Sequence, residues 1–527
     1  MFVQKGYNRG VNFKLAGFNM KRFFRNCLLL SVLLTLVFAC TSFAQNYRPF
    51  PNNDNLKEVF EQISVTGNFE NTRVRLVTSN DEAWYCRWKM IEEAKSTIDC
   101  TYYIIDKDIF GQAFIGLLLK KARAGVKIRL MIDGRVYRMP YMSKMPDKIE
   151  ELAAFPNVEI KLYNSVRKSL ATAFTDFRSI AASNHDKIII CDSKITIIGG
   201  RNIGADYFSA NGENDIVYND CDVLMEGKHV AEQLQKAFND EWNYLKNSVV
   251  KADILNFKNQ ISVVELAYRV MSRYIQGRGL FDPNKTRVSE TLKKNLTKMN
   301  EEIRKYKNLT SYAAFDMFRG ERFKPVKILD KHSRLGPLNG ITPSLIKMID
   351  ASKNEIIIQN PYLVITKEME KALIRASARG VEIIFHTNSA GSTDSLFPQA
   401  FLMNDWVRLL KEMPTCKIYV APSENERLHA KVFVFDGHIA VVGSYNMDPL
   451  SEEINSEVVA AINDKPFAQQ TRLRIFKLIS GNIIEYKIKL DERGNVIEKF
   501  GPEAHVSEKV IKKMNFLRKL QWLRPLI

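Results

Sequence analysis

Two short apolar strands in this chain carry the same constellation of polar residues, and that repeat limits the possible folds more than any other feature. The first copy is Asn184-His185-Asp186-Lys187-Ile188-Ile189-Ile190-Cys191-Asp192, followed by Gly199-Gly200-Arg201-Asn202. The second is Leu428-His429-Ala430-Lys431-Val432-Phe433-Val434-Phe435-Asp436, followed by Gly443-Ser444-Tyr445-Asn446. In both, Lys lies two positions after His, Asp seven and Asn seventeen. A lone His-x-Lys on a strand is usually a surface pattern, but four polar types at identical spacings in two places describe a duplication. Residues i and i+2 of a strand share a face, so His185 projects with Lys187 and His429 with Lys431. The glycines let the following turn approach closely, and Asn202 and Asn446 return amide groups toward the same pocket.

The surrounding chain repeats as well. Residues 97–105 are β-branched and aromatic, a strand signature; a helical stretch over 113–124 follows, and Gly125 opens a second strand over 126–132. Later, a strand over 355–358 and a helix over 367–379 precede Gly380 and a strand over 381–385. Strand, helix, glycine, strand predicts an α/β fold, a mostly parallel or mixed sheet with helices on its faces, built twice. The expected organisation is a first lobe over 45–245, a Lys-rich helical connector over 246–324, a second lobe over 325–465 and a C-terminal extension over 466–527. That extension reads as a hairpin (483–490 with 496–500) and a basic amphipathic helix from Glu508 onward.

Two imidazoles, two ammonium groups and two amides in one pocket suit a phosphodiester. Cations and donors stabilise charge on phosphoryl oxygens. One neutral His attacks phosphorus; the other, protonated, donates to the leaving alkoxide, and the roles then reverse. The lysines supply positive charge, so neither a metal nor a cofactor is expected. None of the seven cysteines has zinc-ligand spacing. A balance of 77 Lys+Arg against 59 Asp+Glu, net +18, implies an anionic partner. Hydrophobic and charged fractions of 46% and 26% exclude a disordered or collagen-like chain and a polytopic membrane protein.

These residues resemble the phospholipase D superfamily, whose HxKxxxxD signature they carry twice, and are similar in particular to bacterial cardiolipin synthases of the C type. Further matching segments are Gly199 to Phe208, Asp220-Cys221-Asp222-Val223-Leu224, Thr387-Asn388-Ser389 with Ser392-Thr393-Asp394, Gly443 to Pro449, and Asn455-Ser456-Glu457. The resemblance implies two similar lobes related by a pseudo-two-fold, with one active site between them. It implies His185 as nucleophile and His429 as acid, with Lys187, Lys431, Asn202 and Asn446 holding the phosphoryl group. Glu457, and either Asp220 or Asp222, are the carboxylates that orient the histidines. Asp192 and Asp436 complete the motifs and stand among the candidate catalytic residues, although a structural part suits them better. One departure concerns the acceptor: Asp448-Pro449-Leu450-Ser451 has Leu450 where the pattern usually has Arg.

The implied activity is hydrolysis or transfer of the phosphatidyl group of a glycerophospholipid, at an anionic membrane surface. The alternatives are a phosphodiesterase of the same fold acting on nucleic acid and a non-enzymatic lipid-binding protein. No interleaving of basic and aromatic residues of the single-strand-binding kind supports nucleic acid. Lys21, Arg22 and Arg25 precede an apolar run over 27–39, which has the size of a signal-peptide core. An exported body, periplasmic or secreted, is therefore expected. Met20 is then a possible start, with either cleavage after Ala44 or lipidation at Cys40.

Overall fold

Each half of the chain builds the same ladder of strands. In the first half these are β1 (Asn71–Val77), β2 (Thr97–Tyr102), β3 (Lys127–Asp133), β4 (Val158–Tyr163), β5 (Ile188–Cys191), β6 (Ile195–Gly199), β7 (Val217–Asn219), β8 (Asp222–Glu226) and β9 (Ser248–Val249). In the second they are β10 (Phe323–Lys331), β11 (Glu355–Gln359), β12 (Glu382–Asn388), β13 (Cys416–Ala421), β14 (Glu426–Leu428), β15 (Val432–Phe435), β16 (Ile439–Gly443), β17 (Glu457–Asn463), β18 (Ile484–Leu490) and β19 (Val496–Phe500). The computed structural model describes residues 49–65, 71–138, 145–165, 181–252, 261–333, 338–421, 426–481 and 483–526. The segment read as an export signal lies outside them.

Pairing runs β9-β4-β3-β2-β5-β6-β8-β1 through the first half. It crosses from β1 to β10 and continues β17-β16-β15-β11-β12-β13-β18-β19. The order is the same read outward from the β1–β10 pair in either direction. In each half three strands of the ladder run parallel (β2, β3, β4; β11, β12, β13) and its other pairings are antiparallel, while β7 and β14 lie outside the ladder and pair with each other. This is the mixed, duplicated α/β architecture expected. The strand that joins the halves, Asn71–Val77, alternates in burial, with Thr72, Val74 and Leu76 inside and Arg73 and Arg75 half-exposed.

The crossovers form for local reasons. Asp108 caps helix Ile109–Arg123 by accepting from the Gly111 N–H, so the helix starts earlier than its apolar run suggests. The helix ends at Gly125, with φ +85°, and helix Lys367–Ala378 ends at Gly380, with φ +82°. In this left-handed region a Cβ is strained, so glycine stops the helix and turns the chain into the next strand.

Burial is layered. One apolar cluster lies under the outer helices of the first half and includes Trp84, Trp88, Phe110 and Phe114, together with Val264 and Leu296 of the connector helices Val263–Ile275 and Glu290–Ile303. A second, with Leu345, Leu373 and Trp406, serves the second half. A third joins the two halves, packing Ile188, Ile190 and Ile198 with Val432, Val434 and Val442, and with Phe238 and Ile475 of helices Lys228–Trp242 and Lys465–Ile479. The hairpin β18–β19 extends the second half's sheet through β13.

The repeat is not exact in its interior. Gly199 pairs with Asp222 where Gly443 pairs with Val459. Asp222 is fully buried and accepts from Arg87 Nη1 at 2.8 Å and Arg201 Nη1 at 2.9 Å, both guanidinium groups being buried too. Removing one member of such a cluster leaves uncompensated buried charge. Asp222→Ala is expected to lower unfolding free energy by about 3–5 kcal/mol, read from denaturant titration followed by circular dichroism; a loss below the error of that measurement refutes this account.

Candidate active site

Two short parallel contacts between the halves bring the site together. Asn184, just before His185, bridges Ser456, just before Glu457; the His185 N–H donates to the Ser456 carbonyl at 3.2 Å. On the other side β14 pairs with β7, Leu428 opposite Asn219, and the His429 N–H donates to the Asn219 carbonyl at 2.9 Å. Each histidine therefore lies beside a carboxylate of the other half. His185 Nδ1 is 2.9 Å from Glu457 Oε1, and His429 Nδ1 is 2.7 Å from Asp220 Oδ2. The same register that equates Asp222 with Val459 equates Asp220 with Glu457, so of the two first-half carboxylates named from sequence it is Asp220 that meets a histidine.

Lys187 and Lys431 project with their histidines, as strand periodicity requires. Lys187 Nζ donates to the His185 carbonyl at 2.7 Å; Lys431 Nζ donates to the His429 carbonyl and lies 3.0 Å from His429 Nδ1. Aromatic rings wall the imidazoles: Tyr103 is edge-on to His185 at 5.3 Å between centroids, and Tyr207 edge-on to His429 at 5.4 Å. Burial, reinforced by the charges of Lys187 and Lys431, holds His185 well below its ordinary pKa. Burial and Lys431 lower His429 as well, against the pull of Asp220. Asp220 is also buried, yet His429 and Lys431 keep its carboxyl below the usual range, so it is the ionised partner of its pair. Burial pushes Glu457 up to about 7, opposed by Lys187 and by Ser444 and Ser451.

The halves differ where they hold these carboxylates. Ser444 Oγ donates to Glu457 Oε2 and Ser451 Oγ to Glu457 Oε1. Gly200 takes the place of Ser444 in the first half, and a Cβ there would lie 2.2 Å from Asp220 Oδ1. Neither serine was assigned a part from sequence. Asp133 was also missed, and Asn388 stood in a matching segment without a part assigned to it. They end β3 and β12, and each accepts from the N–H just before a motif histidine: Asn184 N to Asp133 Oδ2 at 3.2 Å, Leu428 N to Asn388 Oδ1 at 2.8 Å. Asn388 Nδ2 also donates to the Leu428 carbonyl at 2.8 Å. Their place at the carboxyl ends of equivalent parallel strands, where sites of α/β sheets lie, was the signal available.

The other residues named from sequence hold neither histidine. Asp192 accepts from the backbone N–H groups of Lys95, Ser96 and Thr97, and Asp436 from those of Lys353, Asn354 and Glu355. They sit at the far ends of β5 and β15 and fasten the loops that enter β2 and β11, which corrects their place among catalytic candidates. Asp222, held by Arg87 and Arg201, orients no histidine. Asn202 is tied to Tyr207 OH through Nδ2 at 2.9 Å and to the Ile104 N–H. Asn446 Oδ1 is buried with no hydrogen-bond partner among the described residues. Away from this pocket, His332 Nε2 lies 3.1 Å from Asp240 and 3.4 Å from Asp330, an ion-pair arrangement whose three groups are also close enough to share a cation.

The chain is similar to several known proteins. The family described as cardiolipin synthase, PLD-like domain, matches residues 88–242 and 345–478, more than half of the chain and both repeats. Cardiolipin synthase C of Escherichia coli K12 is 26% identical over 435 residues, covering 79% of this chain and 86% of that protein. An uncharacterized protein of Helicobacter pylori strain 26695 is 24% identical over 426 residues, covering 76% and 78%. The crystal structure of phosphatidylserine synthase from Haemophilus influenzae Rd KW20 shares the fold, with a TM-score of 0.60 at 11% identity, covering 90% of this chain and all of that one. The cardiolipin synthases among the relatives are cytoplasmic-membrane enzymes, which overturns the expectation of an exported, periplasmic or secreted body. Basic residues before a short apolar run make a segment amphiphilic; they do not fix on which side of a bilayer the folded body stays.

The buried lysines give the pocket a proton-linked affinity for anions. Burial lowers Lys187 to about 7 and Lys431 to about 8, against the pull of Glu457 on the first and Asp220 on the second. Their charged forms are lost as pH rises through those values, whereas a bound oxyanion favours them. Sulfate affinity should fall above about pH 7, by up to tenfold per pH unit for each proton taken up. Calorimetry in buffers of different ionisation enthalpy reads that uptake; a flat profile refutes it.

Proposed function

The chain belongs to the family of the cardiolipin synthase, PLD-like domain, and is an enzyme of the phospholipase D superfamily; on that premise we propose that it transfers the phosphatidyl group of a glycerophospholipid through a covalent phosphohistidine on His185. The observation that carries this reading is the crossed pair of imidazole–carboxylate contacts in one buried pocket. Glu457 holds His185 Nδ1, leaving Nε2 to attack. Because burial keeps His185 neutral, its lone pair is available without a prior proton loss.

In the first step His185 Nε2 bonds to phosphorus as the bond from phosphorus to the headgroup oxygen breaks, and that oxygen takes its proton from His429. Asp220, ionised beside His429, stabilises the imidazolium before the transfer, and the incoming phosphodiester anion favours it further. Lys187 and Lys431 neutralise charge on the phosphoryl oxygens. In the second step an acceptor hydroxyl gives its proton to His429, its oxygen bonds to phosphorus, and the nitrogen–phosphorus bond breaks. Water gives phosphatidic acid; an alcohol gives a new phosphodiester.

His185→Ala and His429→Ala should each lower turnover of labelled phospholipid by several orders of magnitude, with the double variant little worse than either, because groups that act as a unit are not additive. Independent, additive losses, each single variant keeping the turnover of the other site, mean two separate sites. Cleavage of DNA without consumption of phospholipid overturns the lipid assignment.

Leu450 sets the expectation for the acceptor. It follows Asp448 and Pro449, next to the Ser451 that holds Glu457, and it offers no guanidinium to an anionic acceptor. A positioned neutral alcohol competes with water through effective concentration, so transfer to glycerol or ethanol should accompany hydrolysis while transfer to phosphatidylglycerol stays weak. Leu450→Arg should raise the latter without much change in hydrolysis, read by chromatography of labelled products. Cardiolipin as the main wild-type product refutes this part.

A further inference from the structure

We propose that the C-terminal extension is a docking surface for anionic phospholipid bilayers, placed against the loop that borders the active site; the proposal rests on the lipid reading above. Helix Glu508–Leu517 packs its inner face, through the buried Met514 with Val510, Ile511 and Leu517 beside it, on Ala400 and Met403 of helix Leu396–Glu412, and on Ala390 and Leu396. Ala390 and Leu396 flank Asp394, whose carboxylate accepts from Tyr362 OH at 2.7 Å and acts electrostatically on His429 and Lys431. Two further contacts fasten the extension to this helix: Asn404 Nδ2 donates to the Arg518 carbonyl at 3.1 Å, and Arg524 Nη2 lies 2.7 Å from Asp405 Oδ2.

The outer face has a different composition. Lys509, Lys512, Lys513 and Phe516 are exposed at helical spacing and form one ridge, and Lys519 is exposed just past the helix end. Phe516 is 65% exposed, and Trp522, just beyond the ridge, is 72% exposed. Of the nine large apolar side chains exposed among the described residues, five (Leu490, Ile497, Phe500, Phe516, Trp522) lie in this extension. Lysines beside an exposed tryptophan and phenylalanine match an interface in which the cations meet lipid phosphates and the rings enter the headgroup–acyl boundary. Nucleic acid is less well matched, because the aromatic side chains are not interleaved along a groove.

Trp522 provides its own reporter. The other tryptophans, Trp84, Trp88, Trp242 and Trp406, are all buried, so bromine-labelled phospholipids should quench Trp522 selectively. With the full chain and mixed phosphatidylglycerol–phosphatidylcholine vesicles, quenching is expected in the wild type and lost in Trp522→Ala. The triple variant Lys509→Gln/Lys512→Gln/Lys513→Gln should bind these vesicles about a hundredfold more weakly at low salt. Turnover of vesicle lipid should fall with binding, while turnover of a short-chain phospholipid below its micelle concentration is unchanged. The proposal is overturned if Trp522→Ala leaves quenching intact, if pure phosphatidylcholine vesicles bind equally well, or if the triple variant loses DNA affinity and not vesicle affinity. Quenching needs no chemistry, so a wild type that docks but turns over no lipid disproves the proposed function and not the surface.

Discussion

Each motif histidine is oriented by a carboxylate that its own half does not supply. His185 needs Glu457 and His429 needs Asp220, and the two contacts are set by short backbone ladders that cross between the halves. A half on its own would present a strand with a buried lysine and an imidazole lacking its hydrogen-bond partner, a costly arrangement in a dry interior. The shared apolar layer around Ile190, Val432, Phe238 and Ile475 supplies the burial that holds the halves together. That burial also depresses both lysines and both histidines. Stability and reactivity therefore draw on the same interface.

A perfect duplication would make the two histidines equivalent, and the interior is unequal at the positions that matter. The Asp220 carboxylate lies over Gly200, where a Cβ would clash, while the longer Glu457 is gripped by Ser444 and Ser451. Asp220 stays ionised, and burial raises Glu457 to about 7. Pairs of titratable groups whose surroundings pull their properties apart are the usual basis for dividing acid and nucleophile roles. Asp133 and Asn388 continue the pattern, a carboxyl and an amide doing the same work before the two histidines.

The motif aspartates show how a fixed spacing can serve structure rather than chemistry. Seven residues after each histidine is the length of a short strand plus the start of its turn, so Asp192 and Asp436 come out at the opposite end from the pocket. Both have positive φ, +53° and +48°, and each turns its oxygens onto a row of backbone N–H groups. Their fixed position in the motif follows from the need to close the loop before β2 and β11.

Along one strand, side chains alternate by geometry, so the sequence was enough to place His185 with Lys187 and His429 with Lys431, to find the βαβ units, and to mark Gly125 and Gly380 as the turns between helix and strand. Those are local relations, fixed by backbone sterics over a few residues. The joining strand Asn71–Val77 alternates buried Thr72, Val74 and Leu76 with the half-exposed Arg73 and Arg75, and was not picked out from the sequence. The choice of Asp220 over Asp222, the part of Ser444, and the crossing of carboxylates between halves were decided by tertiary structure. Those contacts link residues 272 and 209 positions apart, and no periodicity extends that far. Only the closure of the two sheets around a common apolar layer brings such residues within hydrogen-bond reach.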